Sequence, residues 1–470
     1  MAERKQLILN LFEMNCVSHI THGLWRLPGN NRTRFNELGY WRELAERAED
    51  GGFDAIFLAD VVGAYDTYRD GLETSLSEGV QLPSNDPLLV VPVMAAFSRR
   101  LGFGVTFSTT YEPPFAFARR MGTLDHLTSG RVGWNIVTSY LPNAARNFGL
   151  SDQIEHDQRY RIADEYLEVL YKLWEGSWDD DAVLADPERG IYTRPDGVRY
   201  IDHHGEHFQV AGPHLVEPSR QRTPLLFQAT GSPAGTAFAG RHAEAVFTGG
   251  RTVEEFQRNK RTIQDALVHN GRLPGDAKFF VQAGVVVGRT DEEAADKLEL
   301  YRRYSSVEGV LAHSSLPFDP LAFAPQTPLA DALRQAGLDP AAGPWASAAN
   351  GTVGEFLAGI KAGREGRFFV AGSPKTVTDE IERWLDEDGI DGINLRQYHT
   401  FGTLTDFAEL VVPELRRRGR LPSADEVQGD RRTLRERLLG EGPRLPDRHP
   451  GAQYRQERTR AAVPSAAAVV

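Results

Sequence analysis

A rhythm constrains this chain more than any single residue does. A short apolar, β-branched run ends in polar residues, an amphipathic stretch follows, and the pair recurs along most of the 470 residues. Short apolar runs bounded by turn residues read as buried strands, and a 3.6-residue apolar period reads as a helix packed over them. The strand-like runs are QLILNLFEM (6–14), AIFLAD ending at Asp60, LGFGVTFSTT (101–110), RVGWNIVTS (131–139), PLLFQATGS, EAVFTGG ending at Gly250, KFFVQAGVVVG (278–288) and GINLRQY (392–398). Helices are expected at about 35–51, 87–99, 114–129, 157–176, 252–270 and 291–305, and over SPKTVTDEIERWLDEDG. Eight such units predict an α/β fold, a (β/α)8 TIM barrel of parallel strands. An open doubly wound sheet is the rival, but no Gly-rich dinucleotide turn follows the first strand.

The barrel is expected as a single domain over 1–420, with long insertions at about 177–222 and 306–365. GVRYIDHHGEHFQV in the first insertion reads as a hairpin, and the second reads as short helices. Residues 421–470 are expected as a C-terminal extension, helical or loose, ending in the low-complexity ERTRAAVPSAAAVV. A net charge of −12 argues against electrostatic nucleic-acid binding. No run approaches about 18 apolar residues, so no membrane span is expected. The single cysteine excludes an intramolecular disulfide and fits a cytoplasmic protein.

In a TIM barrel the chemistry sits at the C-terminal ends of the strands. That singles out 15–22, Asp60, 106–111, 135–140, 228–232, 248–250 and 394–397. The first of these segments lies in MNCVSHITHGLW, with Cys16, His19 and His22 spaced three apart. A metal centre would need further ligands from later strands. QATGS and FTGG offer no histidine and NLRQY no carboxylate, so no metal is expected. His203, His204 and His207 lie in the first insertion and read as a polar loop run. Cys16 has no oxyanion-hole signature near it and reads as a small buried hydrophobe. The turn ATGSPAG has two open readings: Gly231 and Ser232 cradle an anion at a helix N-terminus, or Ser232 merely caps the helix that starts at Pro233.

Several motifs converge on one family. MNCVSHITHGLWR, GGFDAIFLADVVG, EHDQRYRIADEYLEVLYKLWEG, PLLFQATGSPAG and above all the block from Leu101 to Leu150 resemble the bacterial luciferase-like, flavin-dependent monooxygenases. Within that family the chain resembles the branch holding nitrilotriacetate monooxygenase component A, dibenzothiophene-sulfone monooxygenase and dimethyl-sulfide monooxygenase. MNCVSHITHGLW with QLPSNDPLL points to the last of these.

The resemblance implies an oxygenase component that receives FMNH2 from a partner NAD(P)H:flavin reductase and oxygenates its substrate through a flavin peroxide. It implies cofactor-binding roles for Asp60, Thr106, Asn135, Thr138, His156, Tyr160, Gly231 and Ser232, and it favours the anion reading of the ATGSPAG turn. His19 and His22 become candidate catalytic residues at the barrel mouth, and His313 a candidate lid residue. Phe12, Trp25, Phe57, Phe107 and Trp134 are candidate apolar walls for a small, largely apolar substrate. The strand ends are mostly neutral apart from Arg396, which favours a neutral organosulfur or halogenated substrate over an aminopolycarboxylate, and the resemblance adds a sulfide or sulfone cleaved at C–S as the leading outcome. Oxidative dehalogenation of aromatics, N-dealkylation or imine oxidation, deazaflavin chemistry and a non-catalytic flavin-binding protein remain the alternatives. A homo-oligomer, dimer or tetramer, is expected.

Overall fold

In a computed structural model of the chain, residues 4–342, 345, 349–362 and 365–455 are described. Eight parallel strands form the centre: β1 (Ile8–Met14), β2 (Ala55–Ala59), β3 (Gly102–Ser108), β4 (Val132–Val137), β5 (Leu225–Ala229), β6 (Ala245–Phe247), β7 (Lys278–Val287) and β8 (Gly392–Arg396). β1 pairs with both β2 and β8, and β6 with both β5 and β7, so the sheet closes on itself. The outer ring is α1 (Leu38–Asp50), α2 (Val91–Ala96), α3 (Pro114–Leu127), α4 (His156–Tyr171), α5 (Pro233–His242), α6 (Val253–His269), α7 (Asp291–Tyr304) and α9 (Pro374–Arg383), while α8 (Val307–His313) packs with the loop of Tyr65 in a separate cluster. The expected (β/α)8 barrel is therefore the fold. The helix expected at 87–99 is shorter, a 3-10 turn at Pro87–Val90 leading into α2. A ninth strand not anticipated, Phe369–Gly372, pairs with the far end of β7.

Strand side chains alternate between the barrel interior and the helix layer. Phe57, Phe227 and Phe280 fill the interior with Phe12 and Phe247 packed on them. Gly133 makes room for this: a Cβ there would lie 2.6 Å from the Phe227 ring. Leu9, Leu11, Ile56, Leu58 and Val105 face the helices instead. Phe107 and Trp134, expected as pocket walls, belong to this outer set. Phe107 stacks on Phe117 of α3, and Trp134 Nε1 donates to the Phe107 carbonyl at 3.1 Å. Both sit one residue out of phase with the interior positions Thr106 and Asn135.

The segment after 421 is helical and packed as far as Arg455, so the loose alternative does not hold there; residues 456–470 lie outside the described set. Leu434 and Leu438 of α10 (Leu434–Leu439) join Ala55, Leu225 and Ala245 at the N-terminal end of the barrel. Between them the buried Arg435 donates to both carboxylate oxygens of Glu244, at 2.7 and 2.8 Å. This helix closes the floor and leaves the C-terminal mouth as the open end. The expected hairpin pairs His203–His204 with Gln209–Val210. His203 is a clasp: it donates through Nε2 to Glu165 of α4 and accepts from Lys172 Nζ at 2.9 Å.

Candidate active site

Two neighbouring groups of residues form the mouth. The first surrounds a cavity of about 330 Å³ lined by Asp60 at the end of β2, Thr138 and Tyr140 after β4, and His156, Arg159 and Tyr160 in the first turn of α4. Opposite α4, the turn after β5 starts α5. Ser232 caps that helix, its Oγ accepting from Gly235 N at 3.1 Å. The Ser232 and Gln228 side chains bear on the Tyr160 hydroxyl. Only glycine fits at 235, because a Cβ would stand 2.8 Å from that hydroxyl and 2.4 Å from Thr230 Oγ1.

This end of the cavity suits an anion. The N-terminus of α5 carries the positive end of its helix dipole. Arg159 is only 7% exposed, its Nε meets no hydrogen-bond partner, and no carboxylate among the described residues forms an ion pair with it. Burial depresses its pKa. A buried guanidinium without a counter-charge is costly unless a ligand supplies one. At the other end, burial pushes the Asp60 carboxyl up to about 7. The raised folded-state value means that Asp60 costs no stability below the unfolded carboxyl range near 3.8, and that stability is lost as pH climbs through 7. Asp60→Asn is therefore expected to flatten the pH dependence of unfolding between about 4 and 7 and to be the more stable protein at pH 8. Denaturant unfolding of both proteins across pH measures this.

The second group is a cluster of imidazoles beside that cavity. His19 lies 5.1 Å from the Phe12 ring, and its centroid is 5.6 Å from that of His313 on α8. His313 packs edge-on against His22 and Tyr65, each at 4.9 Å. Gln81 Nε2 donates to His313 Nε2 at 3.0 Å and to His19 Nδ1. The Tyr65 and Tyr140 hydroxyls are 2.5 Å apart and join this cluster to the rim of the cavity. Burial keeps His19 well below the usual imidazole range and brings His313 down to about 4, so both are neutral near pH 7. The site thus sets a cavity end bearing a buried guanidinium and a helix N-terminus beside uncharged imidazoles.

The model of one family, luciferase-like monooxygenase, matches residues 15–392. The chain belongs to the luciferase-like monooxygenases. It is 48% identical over 456 residues to the long-chain alkane monooxygenase of Geobacillus thermodenitrificans, covering 96% of this chain and 98% of that one. It is 42% identical to the dimethyl-sulfide monooxygenase of Hyphomicrobium sulfonivorans, over 96% and 94% of the two chains. The crystal structure of a long-chain alkane monooxygenase superposes with a TM-score of 0.88 at 48% identity, over 96% of this chain and all of that one. A riboflavin lyase solved with modified FMN and riboflavin gives a TM-score of 0.86 at 37% identity, over 96% and 100%. The protein is a flavin-dependent monooxygenase, as its motifs led one to expect; the likeness to an alkane monooxygenase was not anticipated.

The structure distributes the anticipated residues of this monooxygenase over three levels. Asp60, Thr138, His156 and Tyr160 line the cavity, and Gly231 and Ser232 form the turn beside Tyr160. Thr106 and Asn135 face each other inside the barrel and are not part of the lining; Asn135 Nδ2 donates to Thr106 Oγ1 at 2.8 Å. His19 and His313 meet in the cluster. His22 corrects the expectation of a second mouth histidine: it is 0% exposed, packed behind His313 and hydrogen-bonded through Nδ1 to Ser18 Oγ. His22 thus sits behind His313 and not on the cavity lining.

Three contributors were missed. Arg159 was overlooked inside EHDQRYR although it lies one residue before Tyr160. Gln81 and Tyr65 sit in loop sequence with no periodicity to mark them. Ser232→Ala removes the cap of α5 and is expected to cost about 1 kcal/mol of stability. It should also weaken FMN binding about fivefold, a smaller effect than loss of a charge. Thermal unfolding and an anaerobic flavin titration check the two parts.

Proposed function

We propose that this chain is the oxygenase component of a two-component system. It takes reduced FMN from a separate NAD(P)H-dependent reductase and uses it with O2 to oxygenate a neutral aliphatic substrate, a hydrocarbon or a dialkyl sulfide. The carrying observation is the juxtaposition of an anion-ended cavity and an uncharged His19–Gln81–His313 cluster flanked by aromatic rings. Reduced FMN, when bound, supplies the electrons that activate O2. Arg159, Tyr160 and the Ser232 turn would hold its phosphate, and Asp60 and Thr138 would flank its ring end. His19 and His313, neutral at working pH, hold or release a proton beside the reacting oxygen without bringing a charge into an apolar pocket. Phe12, Phe57 and Phe247 form an apolar, water-excluding floor under them.

The alkane and dimethyl-sulfide monooxygenases among the relatives support a neutral aliphatic substrate. Sulfide oxygenation followed by C–S cleavage is one of the two outcomes this reading includes. The test supplies the chain with a free NADH:FMN reductase, NADH and O2, and offers n-alkanes, dialkyl sulfides, an aryl sulfone and nitrilotriacetate in turn. Oxygenated product from the alkanes or sulfides, with none from the tricarboxylate, is expected. Hydrogen peroxide alone from every substrate sinks the oxygenase reading, and turnover confined to the tricarboxylate sinks the neutral-substrate reading.

A further inference from the structure

Gln81 opens the QLPSNDPLL stretch but carries no role expected from the sequence, yet both mouth histidines meet on it. We propose that Gln81 is a positioning residue whose side-chain amide fixes the tautomers of His19 and His313, leaving His19 Nε2–H and His313 Nδ1–H as donors. This deepens the oxygenase reading and rests on it.

The geometry is specific. An amide nitrogen carries two hydrogens and no accepting lone pair. Gln81 Nε2 donates to His313 Nε2 at 3.0 Å and also faces His19 Nδ1 as a hydrogen-bond partner. Each of those ring nitrogens is therefore the acceptor of its ring, and in a neutral imidazole the proton then sits on the other nitrogen. One amide thus sets two rings whose centroids are 5.6 Å apart. His22 is set separately: the Ser18 hydroxyl gives its hydrogen to the Gly79 carbonyl at 2.6 Å, which leaves its oxygen to accept from His22 Nδ1.

The backbone at Gln81 is built for this placement. Its φ is +49°, in the left-handed region that side chains other than glycine rarely adopt, and the residue is 2% exposed. Its N–H is held by the Ser18 carbonyl at 3.1 Å, inside the loop that carries His19. A buried, strained residue held in place by its surroundings is a recurrent mark of a functional position. The titratable and charged groups packed against the two rings are each other, His22, Tyr65 and Arg396. Arg396 and burial both oppose protonation of His19, so the amide acts on rings that stay neutral.

The test uses the full chain with reduced FMN and compares Gln81→Leu with Gln81→Glu. The readouts are oxygenated product per FMNH2 consumed as a function of pH, and the ring nitrogen shifts of 15N-histidine-labelled protein, with His19→Asn to assign the His19 signals. Gln81→Leu is expected to lower coupling about tenfold and to give mixed tautomers, with the shape of the parent's pH profile kept. Gln81→Glu replaces a donor by an acceptor and puts an anion between two imidazoles, which favours their charged forms. In an Asp60→Asn background, free of the cavity carboxyl that titrates at about 7, its coupling is expected to fall as pH drops below about 7, where the protein with Gln81 is flat. Parent-like coupling and tautomers in Gln81→Leu overturn the proposal, and so does a flat profile in Gln81→Glu. A purely structural role predicts that both variants lose thermal stability and FMN binding with unchanged tautomers, and that outcome overturns it as well. If the parent itself makes no oxygenated product the oxygenase reading fails, while the nitrogen shifts still decide what Gln81 does.

Discussion

Arg159→Met is expected to weaken FMN binding by about 100-fold while leaving riboflavin binding nearly unchanged. Arg159 is 7% exposed, lines the cavity and forms no ion pair with a carboxylate among the described residues. Truncating one partner of a buried charge pair costs roughly 2–5 kcal/mol, and about 3 kcal/mol corresponds to that fold-change. Riboflavin lacks the phosphate and so does not use the charge. Methionine fills similar volume without charge, and removing an unpaired buried cation is expected to stabilise the flavin-free protein. Weaker FMN binding should therefore accompany a higher unfolding temperature, a combination that general damage to the fold does not give. Equal losses for FMN and riboflavin, read by anaerobic titration, would remove Arg159 from the phosphate end.

His19→Ala is expected to cut oxygenated product per FMNH2 consumed by about 100-fold while FMN oxidation continues and hydrogen peroxide rises. Positioned acid–base groups contribute roughly 10²–10⁴ in rate, and His313 remains as the second ring. His19 does not line the 330 Å³ cavity, so FMN affinity should hold. In Asp60→Asn, which lacks the cavity carboxyl that titrates at about 7, coupling should be flat from about pH 6 to 9, because burial holds His19 well below its usual range and His313 at about 4. A break near pH 6.5 that persists in Asp60→Asn would mean that a protonated imidazole takes part. Unchanged coupling in His19→Ala would remove the residue from the chemistry.

Much of this was legible in the chain, and the misreadings have physical causes. The strand ends that line the cavity were found because a parallel barrel brings them all to one face. Phe107 and Trp134 were placed on the wrong side because a continuous apolar run such as GVTF or RVGW hides the two-residue alternation. His22 was grouped with His19 on spacing alone. Their loop contains Ile20 at φ +68°, and it turns His19 toward Phe12 and His22 toward the Ser18 hydroxyl. Gln81 comes 62 positions after His19, in a loop where no local pattern announces a contact. The segment after 421 was left open between helical and loose because its low-complexity end gives no sign of what the rest packs against. Two leucines and one arginine are enough to seal the floor once Glu244 is there to pair with.

The sequence by itself determined the barrel, the face on which chemistry occurs and the flavin-dependent family. Strand and helix periods are local properties, and parallel closure leaves one mouth. The tertiary packing alone reveals that Arg159 lies buried beside a capped helix N-terminus and a tyrosine, that one glutamine amide reaches two histidines, and that the helix Leu434–Leu439 plugs the floor of the barrel. Each depends on side chains brought together from distant segments, where burial sets what a charge costs and which ring nitrogen can accept a hydrogen bond.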